Sequence, residues 1–176
     1  YGVNWGLGCN GLHFSDVVLY LLDDSMESYD NNQIDSEIID SKRKGFIEFT
    51  GTISGKTTNG NRLRLTSRKT DSPFSSIVLL TINSPSLRIS VFEGGVEPTI
   101  DVTLVQQDYK RRVQSFPAML FQSDLSQMIV EDTLLGRNLQ LTPYIDAMQN
   151  HKLFLASLLD LLNKHNDKYI SKCPIT

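Results

Sequence analysis

Asn4 to Leu22 concentrates the residues of this chain whose types and spacing could do chemistry. Cys9, Asn10, His13 and Asp16 follow one another there at separations of three and four positions. In a helix such residues share a face, so these four would line one stripe of its first turns. Imidazole titrates near neutral pH, which suits His13 to general acid–base chemistry. The spacing therefore predicts a polar site at the start of a helix.

A helix that carries such a site needs an apolar face to hold it against a core. Leu12, Val18, Leu19 and Leu22 recur on the opposite stripe and predict that face. The loop before the helix is rich in glycine, which lets the backbone approach a neighbour closely. The alternative for His13 is a structural role, in which the imidazole satisfies the backbone of this loop.

The glycine-rich loop, the polar residue, the spacing His-x-x-Asp and the apolar helix together resemble a known family. They are similar to the opening of the C-terminal domain of the glucose-fructose oxidoreductase/inositol dehydrogenase/MocA (Gfo/Idh/MocA) enzymes. In that pattern His13 and Asp16 hold the positions of the histidine and the trailing aspartate. Cys9 stands where the family has its leading aspartate, a departure from the family's proton relay. Asn10 matches the N-x-x-H-F-x-D pattern of some nucleotide-sugar members.

The resemblance implies an NAD(P)-dependent sugar oxidoreductase with two domains. His13 would take or give the proton of a sugar hydroxyl, and Asn10 and Asp16 would orient that imidazole or bind neighbouring hydroxyls. Cys9 would lie at the same substrate site. Trp5 would offer an apolar face to a pyranose ring, with core packing as the alternative for this side chain. The substrate would be a sugar or a nucleotide-linked sugar.

The cofactor, NAD or NADP, would be bound mainly by a Rossmann domain that precedes this chain. No G-x-G-x-x-G follows a strand in the sequence, so we expect no cofactor-binding residues here. We expect no metal either, because no cysteine and histidine cluster has the spacing of a metal site. Hydride chemistry belongs to the cofactor, so the chain alone is expected to be inactive. We interpret it as a fragment, the substrate-binding and oligomerisation domain of a longer enzyme.

Three other interpretations compete with this one. The first is a non-catalytic module that stands alone and serves ligand binding or assembly. The second is a nucleophilic pair, in which His13 deprotonates Cys9 at a helix start. The third is a phosphate loop at Gly51 to Thr57, but three residues rather than four separate its glycines, and the turn Asn59-Gly60 follows instead of a helix.

The rest of the chain predicts a single α+β domain over residues 1–176. The first helix is followed by a polar loop at Asp23 to Gln33, by five to six strands and by two helices. Short connections favour a mostly antiparallel open sheet in a two-layer domain, with the helices packed on one face. One closing helix would begin at Pro117 and end at Gly136, and the other would begin at Thr142-Pro143. The predicted strands are Ile34–Ile39, Gly45–Ser54, Arg62–Arg68, Ser76–Asn83, Leu87–Phe92 and Thr99–Val105.

Composition narrows the class of partner. The net charge is −3, which argues against a nucleic-acid binder with a basic face. The basic run Lys42-Arg43-Lys44 is interpreted as a solvated surface, as are the scattered residues Arg62, Arg64, Arg68 and Lys69, with a phosphate site as the alternative. No apolar run approaches the roughly 20 residues that cross a membrane, so we expect a soluble, cytoplasmic protein. The family resemblance also implies a homo-oligomer that forms through the open face of the sheet.

Overall fold

The computed structural model describes residues 1–71, 77–93, 99–105, 111–117, 122–139, 141–166 and 169–175. These residues form two compact units, where the sequence predicts one domain. Unit 1 comprises Tyr1–Val78 and Pro143–Thr176, and unit 2 comprises Leu79–Thr142. In chain order the elements are β1 (Gly2–Val3), α1 (Leu7–Leu22), β2 (Met26–Asp40), β3 (Ile47–Thr57), β4 (Arg62–Arg68), β5 (Ile77–Asn83), β6 (Leu87–Glu93), β7 (Thr99–Val105), β8 (Arg111–Pro117), α2 (Gln122–Leu134) and α3 (Tyr144–His165).

Unit 1 is a sheet with two helices packed against it. Strands β2, β3 and β4 pair antiparallel in that order, and β1 lies parallel to β4 and antiparallel to the start of β5. The predicted strand Arg62–Arg68 is confirmed as β4, in which Leu63 and Leu65 are buried while Arg62 and Arg64 are exposed. The predicted turn at Asn59-Gly60 joins β3 to β4, and Gly60 N donates to Thr57 O at 2.9 Å.

Strand β2 is much longer than predicted. It begins at Met26, so the prediction of a polar loop over Asp23 to Gln33 is wrong for most of that segment. The strand has 15 residues against 11 in β3, and the difference is taken up at three irregular places in the pairing. Gly51 lies opposite one of these bulges with φ of 99°. A Cβ atom on Gly51 would come within 2.5 Å of Asp35 N, so the bulge requires glycine there.

The core of unit 1 lies where α1 and α3 cross the sheet. Gly11 of α1 makes room for Phe154 of α3, since a Cβ atom on Gly11 would lie 2.7 Å from Phe154 Cζ. Phe154 and Leu158 are fully buried, whereas Ile145 near the start of the helix is 52% exposed. The inward face of α3 is formed by Asn150, Phe154, Leu158, Leu161 and Leu162.

Unit 2 contains the antiparallel meander of β6, β7 and β8, together with most of β5 and helix α2. Pro117 ends strand β8 and does not start a helix, so that prediction is wrong. Residues 118–121 lie outside the described residues. Gly136 follows α2 with φ of 64°, as expected of a glycine that ends a helix. The apolar side chains of α2 are largely exposed, with Met128 at 51% and Leu134 at 80%.

The described residues confirm the predicted α+β class with a mostly antiparallel sheet. They contain eight strands. The two that the sequence does not predict are β1, which has two residues, and β8, which has seven. No helix of the described residues is long and apolar enough to cross a membrane.

Candidate functional site

A cavity of about 610 Å³ lies in unit 1 at the N-terminus of α1. Its walls come from four segments: the loop before α1 with the first turn of the helix, the connection from β2 to β3, the start of β3, and the end of β4. Three of the five predicted site residues line it, namely Trp5, Cys9 and Asn10. The two others, His13 and Asp16, are not among its lining residues.

Glu48 of β3 binds the N-terminus of α1. Its carboxylate accepts hydrogen bonds from the backbone N–H groups of Gly8 at 2.8 Å and of Cys9 at 2.9 Å. Gly6, the residue before the helix, has no side chain to cap it, so the cap comes from a strand 40 residues away. A carboxylate is stabilised there by the free N–H groups and the helix dipole. Glu48 is 8% exposed and lines the cavity.

Trp5 belongs to the core. It is 5% exposed, its Nε1 donates to Thr66 O at 2.9 Å, and its ring packs edge-on against Phe14 with 5.1 Å between centroids. These contacts agree with the alternative interpretation of Trp5, in which its side chain packs in the core. A side chain so deeply buried contributes only a small edge to the cavity wall and offers no open ring face to a pyranose.

Cys9 and Asn10 lie where the predicted site begins. Both side chains are partly exposed and line the cavity. The Asn10 Nδ2 group donates to Trp5 O, which holds the amide against the loop. That bond uses the donor side of the amide and leaves Asn10 Oδ1 as the group that can accept a hydrogen bond from a ligand.

His13 and Asp16 do not pair with each other. His13 is exposed, and no hydrogen bond or ion pair joins it to any other residue in the described part of the chain. Asp16 turns instead to α3, where its Oδ1 accepts a 2.6 Å hydrogen bond from Asn150 Nδ2 and its Oδ2 lies 2.8 Å from His151 Nε2. The expectation that Asp16 orients the His13 imidazole is therefore wrong, because two partners from α3 already occupy this carboxylate.

Asp16 is one end of a polar network that joins α1, β2 and α3. Asn150 Oδ1 accepts hydrogen bonds from Tyr29 OH at 2.7 Å and from Ser15 Oγ at 3.2 Å, and the two hydroxyls also contact each other. Burial raises the pKa of the Tyr29 phenol well above its usual range, and the Asp16 charge adds to this. The network ties the two helices and the bulged strand together inside unit 1.

The residues near the end of the chain close over the first turn of α1. Ile47 N donates to Pro174 O at 2.9 Å, and Ile175 approaches Gly8. Burial raises the pKa of the Cys173 thiol to about 11, and the nearby Glu48 charge acts in the same direction. Cys9 and Cys173 are both free thiols.

Four exposed cations line the cavity. Lys42 and Arg43 come from the connection between β2 and β3, and Arg68 and Lys69 come from the end of β4. We call these four residues the basic rim. The sequence analysis interprets these residues as solvated charges. It does not predict that two segments distant in sequence bring them to one cavity. Glu48 was also missed, since its position in an alternating strand gives no sign that it binds a helix N-terminus.

Comparisons with protein-family models and with the curated proteins find no match for this chain.

Among the residues that the structure describes, no group of three or more histidine, cysteine or acidic side chains could hold a metal ion. The chemistry that the cavity offers is that of its own groups. It presents a thiol, an amide oxygen and several exposed cations. The buried carboxylate between them is already bound to the backbone. This arrangement is suited to binding a polar ligand of small size.

Proposed function

We propose that this chain is the substrate-binding domain of an NAD(P)-dependent oxidoreductase that acts on a hydroxyl group of a sugar or nucleotide-linked sugar. One observation carries the proposal: Cys9 and Asn10, which the family resemblance selects, line a single cavity. Its volume of about 610 Å³ falls within the roughly 300–1,000 Å³ that small-molecule sites occupy.

Residues of the cavity and of α1 would have different roles in the reaction. Asn10 Oδ1 would accept a hydrogen bond from a sugar hydroxyl, and Cys9 would line the ligand beside it. His13 lies one helical turn beyond Cys9, on the same stripe of α1, and would accept the hydroxyl proton when the substrate is oxidised. The nicotinamide cofactor, held by a domain outside this chain, would accept the hydride.

A second candidate function is a non-catalytic ligand-binding module. One observation favours it: Asp16 is bound to Asn150 and His151, so no carboxylate of the described residues orients His13. A general base usually depends on such a partner to hold its tautomer and direction. In this alternative the cavity binds its ligand in the same way, and no proton or hydride is transferred.

The two functions are separated by His13→Ala in the full-length gene product, assayed with NAD⁺ and NADP⁺ against a panel of sugars and nucleotide sugars. Removing a general base should lower kcat by about 10²- to 10⁴-fold. Cofactor affinity and melting temperature should stay unchanged. His165→Ala is the matched control, because His165 is an exposed histidine at the end of α3.

Each outcome bears on one part of the proposal. Turnover in the wild-type protein that His13→Ala leaves intact would remove His13 from the catalytic role. A wild-type protein that binds sugars but shows no turnover with either cofactor would favour the binding module. Loss of folding in His13→Ala would indicate a structural role for a residue that the structure places on the surface.

A further inference from the structure

The basic rim gathers positive charge on a chain that is acidic as a whole. The chain carries a net charge of −3, yet Lys42, Arg43, Arg68 and Lys69 all line one cavity. Only two acidic residues share that lining, Asp40 and Glu48. Clefts lined by charge of one sign concentrate ions of the opposite sign.

The two acidic residues do not neutralise the rim. Glu48 is buried, and its oxygens are taken up by the backbone N–H groups of Gly8 and Cys9. The described residues include no ion pair between Asp40 and a cation. The anion site at the helix N-terminus is thus already filled by the protein's own carboxylate, so a negative group of a ligand has to bind elsewhere in the cavity.

The cations of the rim keep their charge available for a ligand. Lys42, Arg43 and Lys69 form no ion pair with the described residues, and Arg68 makes only a long contact of 3.8 Å with Asp35. Two lysines elsewhere in unit 1 form closer ion pairs. Lys56 lies 2.7 Å from Glu27, and Lys164 lies 2.7 Å from Asp160.

Both segments that carry the rim are held in place by hydrogen bonds. The connection between β2 and β3 is closed by Ser41 N donating to Phe46 O at 2.9 Å and Phe46 N donating to Arg43 O at 3.2 Å. Beyond β4, Asn4 and Thr70 exchange two hydrogen bonds, at 2.9 and 3.0 Å. The backbone that presents the cations is therefore ordered before any ligand arrives, which lowers the entropic cost of binding.

We propose that the ligand of this cavity carries a phosphate or diphosphate ester, which the basic rim binds. The uncharged part of the ligand contacts Cys9 and Asn10. Arginine suits such a group because its planar guanidinium matches two phosphate oxygens at once, and lysine adds a mobile point charge. This inference deepens the proposed function, on which it rests for the assumption that the cavity is the substrate site. It selects a charged substrate over a neutral sugar.

The test measures binding of uridine diphosphate, inorganic pyrophosphate and uridine to the full-length protein by isothermal titration calorimetry at low salt. The two anionic probes should bind, and uridine should bind much more weakly. Because a hydrogen bond to a charged group contributes about 1.5–3 kcal/mol, Arg43→Ala and Lys69→Ala should each raise the Kd of uridine diphosphate roughly tenfold or more. Raising the salt concentration should weaken binding of the wild-type protein.

Arg62→Ala and Arg64→Ala are the matched controls. Both are exposed arginines on β4, the strand that also supplies Arg68, and neither lines the cavity. They should leave the Kd unchanged. The inference is overturned if the anionic probes fail to bind, or if the rim and control variants weaken binding equally. Melting temperatures of all four variants should match that of the wild-type protein, since every substituted side chain is exposed.

Failure of this inference and failure of the proposed function give different results. A protein that oxidises neutral sugars but ignores the anionic probes keeps the proposed function and refutes the charged substrate. A protein that binds the probes through the rim but shows no turnover keeps the anion site and refutes the oxidoreductase.

Discussion

The hydrogen bonds from Gly8 and Cys9 to Glu48 predict that this carboxylate stabilises the start of α1 strongly. The substitution Glu48→Gln tests this, because it keeps the size and shape of the side chain and removes its charge. One oxygen can still accept a backbone N–H group. The other position becomes an NH₂ group, which cannot accept, so one buried N–H donor of the first turn loses its partner.

The expected loss of stability follows from the two hydrogen bonds that Glu48 accepts. A hydrogen bond to a charged acceptor contributes about 1.5–3 kcal/mol and a neutral one about 1 kcal/mol. Loss of one bond, weakening of the other and loss of the charge at the helix N-terminus would together cost about 3–4 kcal/mol. The neutral amide is cheaper to bury than a carboxylate, which offsets part of this cost. We expect Glu48→Gln to lower the free energy of unfolding by about 2 kcal/mol.

Two measurements would detect this loss. Thermal unfolding should shift down by roughly 4–8 °C for a chain of this length. Hydrogen exchange should show faster exchange at the first turn of α1, which contains both N–H donors. The control is Glu27→Gln, because Glu27 pairs with Lys56 on the surface, where both side chains are nearly half exposed. Exposed pairs contribute at most about 1 kcal/mol, so this variant should unfold close to the wild-type temperature.

The reasoning would be refuted if Glu48→Gln and Glu27→Gln had the same small effect on unfolding. It would also be refuted if exchange at the first turn of α1 stayed slow in Glu48→Gln. Either result would mean that the carboxylate does not hold the helix start, and the anion site at the N-terminus of α1 would then be open to a ligand.

Two further predictions concern the crossing of α1, β2 and α3. Gly11→Ala should destabilise unit 1 by about 1–2 kcal/mol, because overpacking against Phe154 outweighs the gain in helix propensity. Urea unfolding measures this loss of stability. A variant more stable than the wild-type protein would contradict the close packing of Gly11 against Phe154. The raised pKa of Tyr29 means that the folded state holds its phenolic proton while the unfolded chain loses it near pH 10. Stability should therefore fall as the pH rises above about 10. Tyr29→Phe should reduce this fall, and identical pH profiles of the two proteins would contradict it.

The parts of the fold that the sequence predicts well are those whose signals are local. Helix α1 has an apolar stripe, of which Val18 and Leu19 are buried, and β4 alternates regularly between leucine and arginine. In both cases the residues that decide the structure lie within one element. The placement of Cys9 and Asn10 beside each other at the helix start also follows from their spacing.

The parts that the sequence does not predict depend on partners far along the chain. Tyr29 and Asn31 make the segment before Gln33 look like a polar loop, yet they bind Asn150 and Ser157 of α3. Spacing within a helix favours an Asp16 contact with His13, while the structure supplies a partner 135 residues away. A buried polar residue can be recognised in a sequence only when its partner is known. These pairs come from tertiary packing, which local patterns do not contain.

The irregular pairing of β2 also affects how copies of this chain can meet. Among the described strands β2 pairs only with β3, so its other side is an outer edge of the sheet. A straight outer edge recruits strands from other molecules and promotes aggregation. The three bulges interrupt the row of N–H and C=O groups on the outer side of β2, and the exposed acidic residues Asp30 and Glu37 repel a second copy of the same strand. Self-association by strand addition is thereby disfavoured at this edge.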